Sequence, residues 1–283
     1  MKVAIRFALA LCTVIIFSGL TSLPAAADEG SLDPARPKGA TVEEIIRRFA
    51  DKEKEFKEAR DQYTFRQTVK VQTVDGNTVT GEYQETFDVL FDDKAKRLEN
   101  VVYAPQSTLE NGGISMSPED VDDIRHRLPF VLTSDEIPEY SILYAGQQQE
   151  DELHCYVFDI APKQIEGKKR YFQGRIWVDD HDFQIVKTFG KTVPDIRKKN
   201  NENLFPKFTT WREQVDGKYW FPTYTKADDT LHFRTSLQDV HIREIVKYTD
   251  YKRFGSNVKI TYEGKEVPKH PDEKDDSKQQ PQR

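Results

Sequence analysis

Lys168-Lys169-Arg170-Tyr171-Phe172-Gln173-Gly174-Arg175-Ile176-Trp177-Val178, an acidic turn, and Phe183-Gln184-Ile185-Val186-Lys187-Thr188-Phe189 open the stretch 168–228 that decides the fold. β-Branched and aromatic residues flank Asp179-Asp180-His181-Asp182, a loop whose length and composition suit a hairpin built around a type I turn. After a polar connection, Phe208 to Val215 and Lys218 to Tyr224 form a second pair of strand-like runs. Asp216-Gly217 between them predicts a two-residue type I′ turn, because both residues tolerate positive φ. Two successive hairpins make the centre of the chain antiparallel sheet.

The same stretch carries a resemblance. Gly174-Arg175-Ile176-Trp177-Val178-Asp179, a short acidic turn, Gln184-Ile185-Val186-Lys187 and the Val215-Asp216-Gly217-Lys218-Tyr219-Trp220-Phe221-Pro222 hairpin resemble the outer-membrane lipoprotein-sorting superfamily of LolA-, LolB- and RseB-like half-barrels. The resemblance covers about a quarter of the chain. It implies a curved, half-open antiparallel β-barrel whose concave apolar face, covered by helices, accepts acyl chains. It assigns no acyl-contacting or partner-binding residue of the family to a position here.

Residues 1–27 read as an export signal. Lys2 and Arg6 supply the positive end, Phe7 to Leu20 the apolar segment, and Ala25-Ala26-Ala27 the small residues of a cleavage site. Leu9-Ala10-Leu11-Cys12 resembles a lipidation box, but Leu11 stands where a small residue is needed, and cleavage there would leave too short an apolar segment. The expected mature chain starts at Asp28, is soluble in the periplasm, and is peripheral to a membrane at most. Cleavage takes two cations and no acid, leaving 40 basic against 48 acidic residues, a net charge of −8. That balance disfavours nucleic acid and anionic lipid as general partners. Cys155 is then a lone thiol in a strand pattern, read as buried core, so the protein must hold together without an internal disulfide.

Residues 28–40, with Pro34 and Pro37, read as a flexible tether. Thr41 and Glu44 form a capping-box signature ahead of Val42, Ile45, Ile46, Phe49, Phe56 and Ala59, which fall mostly at helical spacing. From Tyr63 the period becomes two. Tyr63 to Val74, Val79 to Phe91 and Arg97 to Tyr103 form a meander with one wet face, so its other face needs a cover. Ser117-Pro118-Glu119-Asp120 starts a helix inserted among the strands, striped by Val121, Ile124 and Leu128. Strands resume at Tyr140 to Gly146 and Leu153 to Ala161, and one or two closing strands follow Asp228. Arg197 to Asn201 is a polar charged loop. The tail 263–283 is charged, proline-bearing and expected to be disordered.

The expected fold is therefore α+β and mainly antiparallel: a half-open barrel of about ten strands spanning 41–262, with an N-terminal and an inserted helix over its concave face. The chemistry is sparse. His126, His154, His181, His232, His241 and His270 show no metal-ligand spacing, and no nucleophile motif is present, so no catalytic, metal or cofactor residue is assigned. Aromatics are concentrated in the central hairpins. Trp177, Phe183, Phe189, Trp211, Trp220, Phe221 and Tyr224 are the candidate lining of a ligand cavity, against the alternative that they are ordinary core. Three classes of function follow: a non-enzymatic periplasmic binding protein for acyl chains or lipoprotein lipid, an envelope scaffold with a filled core, and a hydrolase with dispersed catalytic residues. An integral outer-membrane barrel fits less well, because the strands are polar and a charged tail follows Phe254.

Overall fold

The computed structural model describes residues 29–92, 96–126, 131–167, 169–198, 201–253, 261–262 and 265–266. The export signal lies outside them, as does the tail apart from Lys265–Glu266. Helix α1 (Val42–Arg60) leads into the meander β1 (Tyr63–Asp75), β2 (Thr78–Phe91) and β3 (Arg97–Tyr103). After the short helix α2 (Pro118–His126) come β4 (Tyr140–Glu150), β5 (Leu153–Pro162), β6 (Tyr171–Asp179) and β7 (Ile185–Val193). A small separate hairpin, β8 (Ile196–Lys198) with β9 (Asn201–Asn203), occupies the charged loop. The long strands β10 (Phe208–Gln214), β11 (Trp220–Phe233) and β12 (Gln238–Arg253) complete the main sheet, and β13 (Thr261–Tyr262) pairs with β14 (Lys265–Glu266).

The main sheet has ten strands in the order β3-β2-β1-β12-β11-β10-β7-β6-β5-β4, each neighbouring pair antiparallel. β3 and β4 stand at opposite edges and do not pair with each other, so the curved sheet is a half-open barrel. Period-two alternation sends one set of side chains beneath the helices and the other to the outer face. At Gly174 and Gly190, register partners on β6 and β7, the backbones approach closely. A Cβ on Gly174 would lie 2.2 Å from the Phe189 carbonyl oxygen, and one on Gly190 would lie 2.3 Å from that of Gln173.

Thr41 caps α1, its Oγ1 accepting from the Glu44 N–H at 3.1 Å, while Glu44 turns to Arg48. Ile45, Phe49 and Ala50 are buried on Phe158, Ile160, Phe172, Ile176 and Ile185 beneath them. Phe49 meets Phe158 with ring centroids 5.5 Å apart, and burial of such a ring stabilises by about 1.5–3 kcal/mol. α2 places Ile124 over Val69, Val71, Phe87 and Val89, so both helices cover the concave face. Ser117 caps it, its Oγ accepting from the Asp120 N–H.

Two local details differ from the expected ones. The β10–β11 connection is not a two-residue turn: Gln214 pairs with Trp220, and 215–219 form a loop with Gly217 at φ +74°. Asp216 causes this, because its carboxylate accepts from the N–H groups of Lys218 and Tyr219 and from the Tyr63 hydroxyl, drawing the chain out of the ladder. Residues 29–35, within the segment read as a tether, lie along the edge of β4. Gly30 donates to the Gln149 carbonyl, Asp33 and Gln147 exchange both backbone bonds, and Tyr144 donates to the Ala35 carbonyl. The β3 edge has no such cover from the described residues, and Leu98, Val101, Val102 and Tyr103 are exposed along it.

Candidate functional site

Beyond the last turn of α1 the concave face is not filled. There β1 and β3 start, β2 and β12 end, and the start of β11 joins them, leaving an apolar pocket of about 190 Å³. Phe56, Phe65, Phe91, Phe221, Tyr248 and Tyr251 line it, with Arg60, Asp61, Arg97 and Pro222. The rings are mutually fixed: Phe221 lies 4.7 Å from Tyr251 and 5.3 Å from Phe56, and Phe65 stacks 5.1 Å from Tyr251. The Tyr251 hydroxyl donates to the Pro222 carbonyl at 2.7 Å, and burial pushes its pKa well up, so it stays neutral. Burial also lowers the Arg60 pKa from its ordinary value.

Polar groups stand beside these rings. Arg97 pairs with Glu99 at 2.9 Å and donates to Gln67 and to the Arg125 carbonyl, while its buried Nη1 has no hydrogen-bond partner among the described residues. Arg125 of α2 reaches down to Glu85 with a bidentate bond and lies 3.8 Å from Glu99. Gln67, Glu85 and Glu99 thus occupy sheet positions that strict alternation assigns to apolar side chains. The arrangement can hold an apolar chain among the rings and offer a guanidinium donor to a carbonyl or carboxylate at its end. A dry cavity of about 150 Å³ lined by apolar side chains already accepts benzene.

The aromatic residues singled out in the sequence do not meet in one cavity. Phe221 alone of them lines the pocket. Phe183, at φ +60°, lies under α1, stacked on Tyr156 and capped by the Arg48 guanidinium 4.7 Å away. The outer face takes Trp177, Phe189, Trp211 and Tyr224 at alternating positions, and Trp220 packs with Trp177 in a cluster around buried Cys155. Trp220 Nε1 donates to Asp182 at 2.8 Å. Phe65, Phe91, Tyr248 and Tyr251 were missed. Their signal was position: each lies near the end of a long strand at the same end of the sheet, which only the strand order reveals.

The outer face carries its own features. A trough of about 870 Å³ runs over β4 to β10, bordered by Leu143, Arg175, Trp177, Phe189, Lys191 and Lys207. Lys187, 3% exposed, places Nζ 2.5 Å from Glu29 and 2.6 Å from Glu150, and 4.8 Å from the Trp177 ring centroid. Burial raises the Glu150 pKa against the pull of Lys187, and raises the Cys155 thiol to about 12. In the 179–182 turn, Asp179 accepts from the N–H groups of His181 and Asp182, which makes it an ordinary hairpin turn. Among the described residues no group of three or more His, Cys, Asp and Glu is placed to hold a metal.

No family model matches the chain, and no curated protein matches it. Solved structures do. A DUF1329 family protein from Desulfovibrio piger is similar at 13% identity and TM-score 0.35, over 73% of this chain and 90% of that one. A LolA superfamily protein from Nitrosomonas europaea is similar at 15% identity and TM-score 0.30, over 71% and 93%. A domain from Vibrio parahaemolyticus assigned to outer membrane lipoprotein sorting is similar at 12% identity and TM-score 0.32, over 73% and 92%.

Proposed function

We propose that the protein is an exported, non-enzymatic binding protein of the bacterial envelope that holds the acyl chain of a lipid or lipoprotein against the concave face of its half-barrel. One observation carries this: the apolar pocket at the end of α1, where aromatic rings surround space and the buried Arg97 Nη1 has no acceptor among the described residues. The tail lies among Phe56, Phe65 and Phe221, and its ester or carboxylate oxygen meets the guanidinium groups of Arg97 and Arg60. The export signature in the sequence supports the compartment, and the lipoprotein-sorting resemblance supports the ligand class.

A second reading, an envelope scaffold, is favoured by the solid packing beneath most of α1. The two are separated by native mass spectrometry of the exported chain purified without detergent, together with titration of a fluorescent fatty acid. Acyl binding is expected to give a lipid-sized adduct and saturable uptake. Phe65→Trp, which fills the pocket, should abolish both while the thermal melt is retained. Apo protein with no uptake would leave the scaffold.

A further inference from the structure

The outer face of the central strands is an amphipathic surface with unbalanced positive charge. Antiparallel register sets Phe189, Thr209, Lys226 and Ile245 in one row across β7, β10, β11 and β12, and Lys187, Trp211, Tyr224 and Lys247 in the next. Phe189 is 43% exposed, and Leu143, farther along the same face, is 65% exposed. Trp211 and Tyr224 are half-buried, their rings 5.7 Å apart. Between them stand Lys207, Lys226 and Lys247, all exposed.

The other charges of this face are neutralised by neighbours: Arg175 by Asp159, Lys191 by Asp195, Lys187 by Glu29 and Glu150, Lys70 by Glu82, and His241 and Arg243 by Asp228. Lys207, Lys226 and Lys247 make no ion pair among the described residues. Lys226 and Lys247 are diagonal neighbours across the β11–β12 ladder, a like-charge placement that costs stability unless an anion relieves it. This stands on a chain whose net charge is −6, so the face opposes the charge of the whole.

We infer that this outer face docks on a bilayer surface containing anionic lipid. Half-exposed Trp, Tyr and Phe beside exposed lysines match the chemistry of the headgroup layer, where aromatic rings settle and ammonium groups meet phosphate. The total charge disfavours anionic lipid as a general partner, but it does not report the sign of one face. It is independent of the acyl-chain reading, because the pocket is on the opposite face.

The test is co-sedimentation of the full exported chain with vesicles of phosphatidylcholine alone, or of phosphatidylcholine with phosphatidylglycerol. Binding is expected only to the mixed vesicles and should weaken as salt rises. Each lysine near an anionic surface contributes roughly fivefold in affinity, so Lys207→Gln, Lys226→Gln and Lys247→Gln together should cost about a hundredfold. That triple variant changes only exposed side chains, and an unchanged melt will show that it folds. Trp211→Ala should weaken binding and leave its salt dependence unchanged. Equal binding to both vesicle types, binding to neither, an unaffected triple variant, or equally tight binding of soluble heparin would each overturn the proposal.

Discussion

Glu53 on α1 and Arg212 on β10 form a bidentate ion pair, 2.7 and 3.2 Å long, with both side chains 1% exposed. The guanidinium also donates to the Ile185 carbonyl and lies 5.1 Å from the Phe56 ring centroid. The pair fixes the helix at one register on the sheet. Glu53→Ala, which leaves a buried cation behind, should cost about 3–5 kcal/mol. Replacing both partners, Glu53→Leu with Arg212→Met, should recover most of the loss. Urea denaturation of the three chains checks both statements.

Tyr63 and Asp216 give the loop of the β10–β11 hairpin a dependence on pH. Burial and the bond to Asp216 raise the Tyr63 pKa to about 12. Burial pushes the Asp216 pKa upward, but the Tyr63 hydroxyl and nearby N–H groups outweigh it, and the net direction is down. The stabilisation from the acid is present above its unfolded pKa of about 3.9 and disappears as pH falls through the lower folded value. The stabilisation from the phenol is present below its ordinary pKa of about 10 and disappears as pH rises through about 12. Tyr63→Phe should therefore lower Tm near neutrality and have less effect below pH ~3. Melting curves across that range decide it.

Lys187→Met would strand Glu150 in the β4–β7 cluster. Its folded pKa is already raised by burial, and removing the ammonium raises it further. For an acid whose folded pKa is raised, the stability present below its unfolded pKa of about 4.3 is lost as pH rises from there through the folded value. The variant should lose about 3–5 kcal/mol at neutral pH, and less at pH ~4. A deficit independent of pH would refute the pairing.

Cys155 should be inert in the folded protein. It is 1% exposed and its pKa is raised to about 12 by burial, so little thiolate forms and no reagent reaches it. Iodoacetamide at neutral pH should leave the native chain unmodified and label it fully in urea, as read by intact mass.

Gly174→Ala should destabilise by about 1–3 kcal/mol, as overpacking does. The added methyl meets the β7 backbone, which no side-chain rotation can relieve. Equal melting temperatures would show that the seam between β6 and β7 yields.

Strand periodicity and turn residues made most of the sheet legible, since each hairpin is local. The 29–35 segment was not, because backbone bonds to β4 hold it and those carry no side-chain pattern. Density of aromatic residues along the sequence was misleading for the site. Trp220 and Phe221 are adjacent and face opposite ways, so a cluster in sequence becomes two clusters in space. The pocket needed β1, β2, β11 and β12 brought to one end, which depends on strand order. The buried charges Glu53, Glu85 and Arg212 carry no signal in the sequence, because their ion-pair partners lie on other elements.

The two edges of the sheet are unlike. One is occupied by the chain's own residues 29–35, while the other leaves Leu98, Val101, Val102 and Tyr103 bare. Among the described residues, the edge left open to a further strand is that of β3. Two copies meeting there would consume both growing ends at once, so association by this route terminates at a pair and cannot propagate into a fibre.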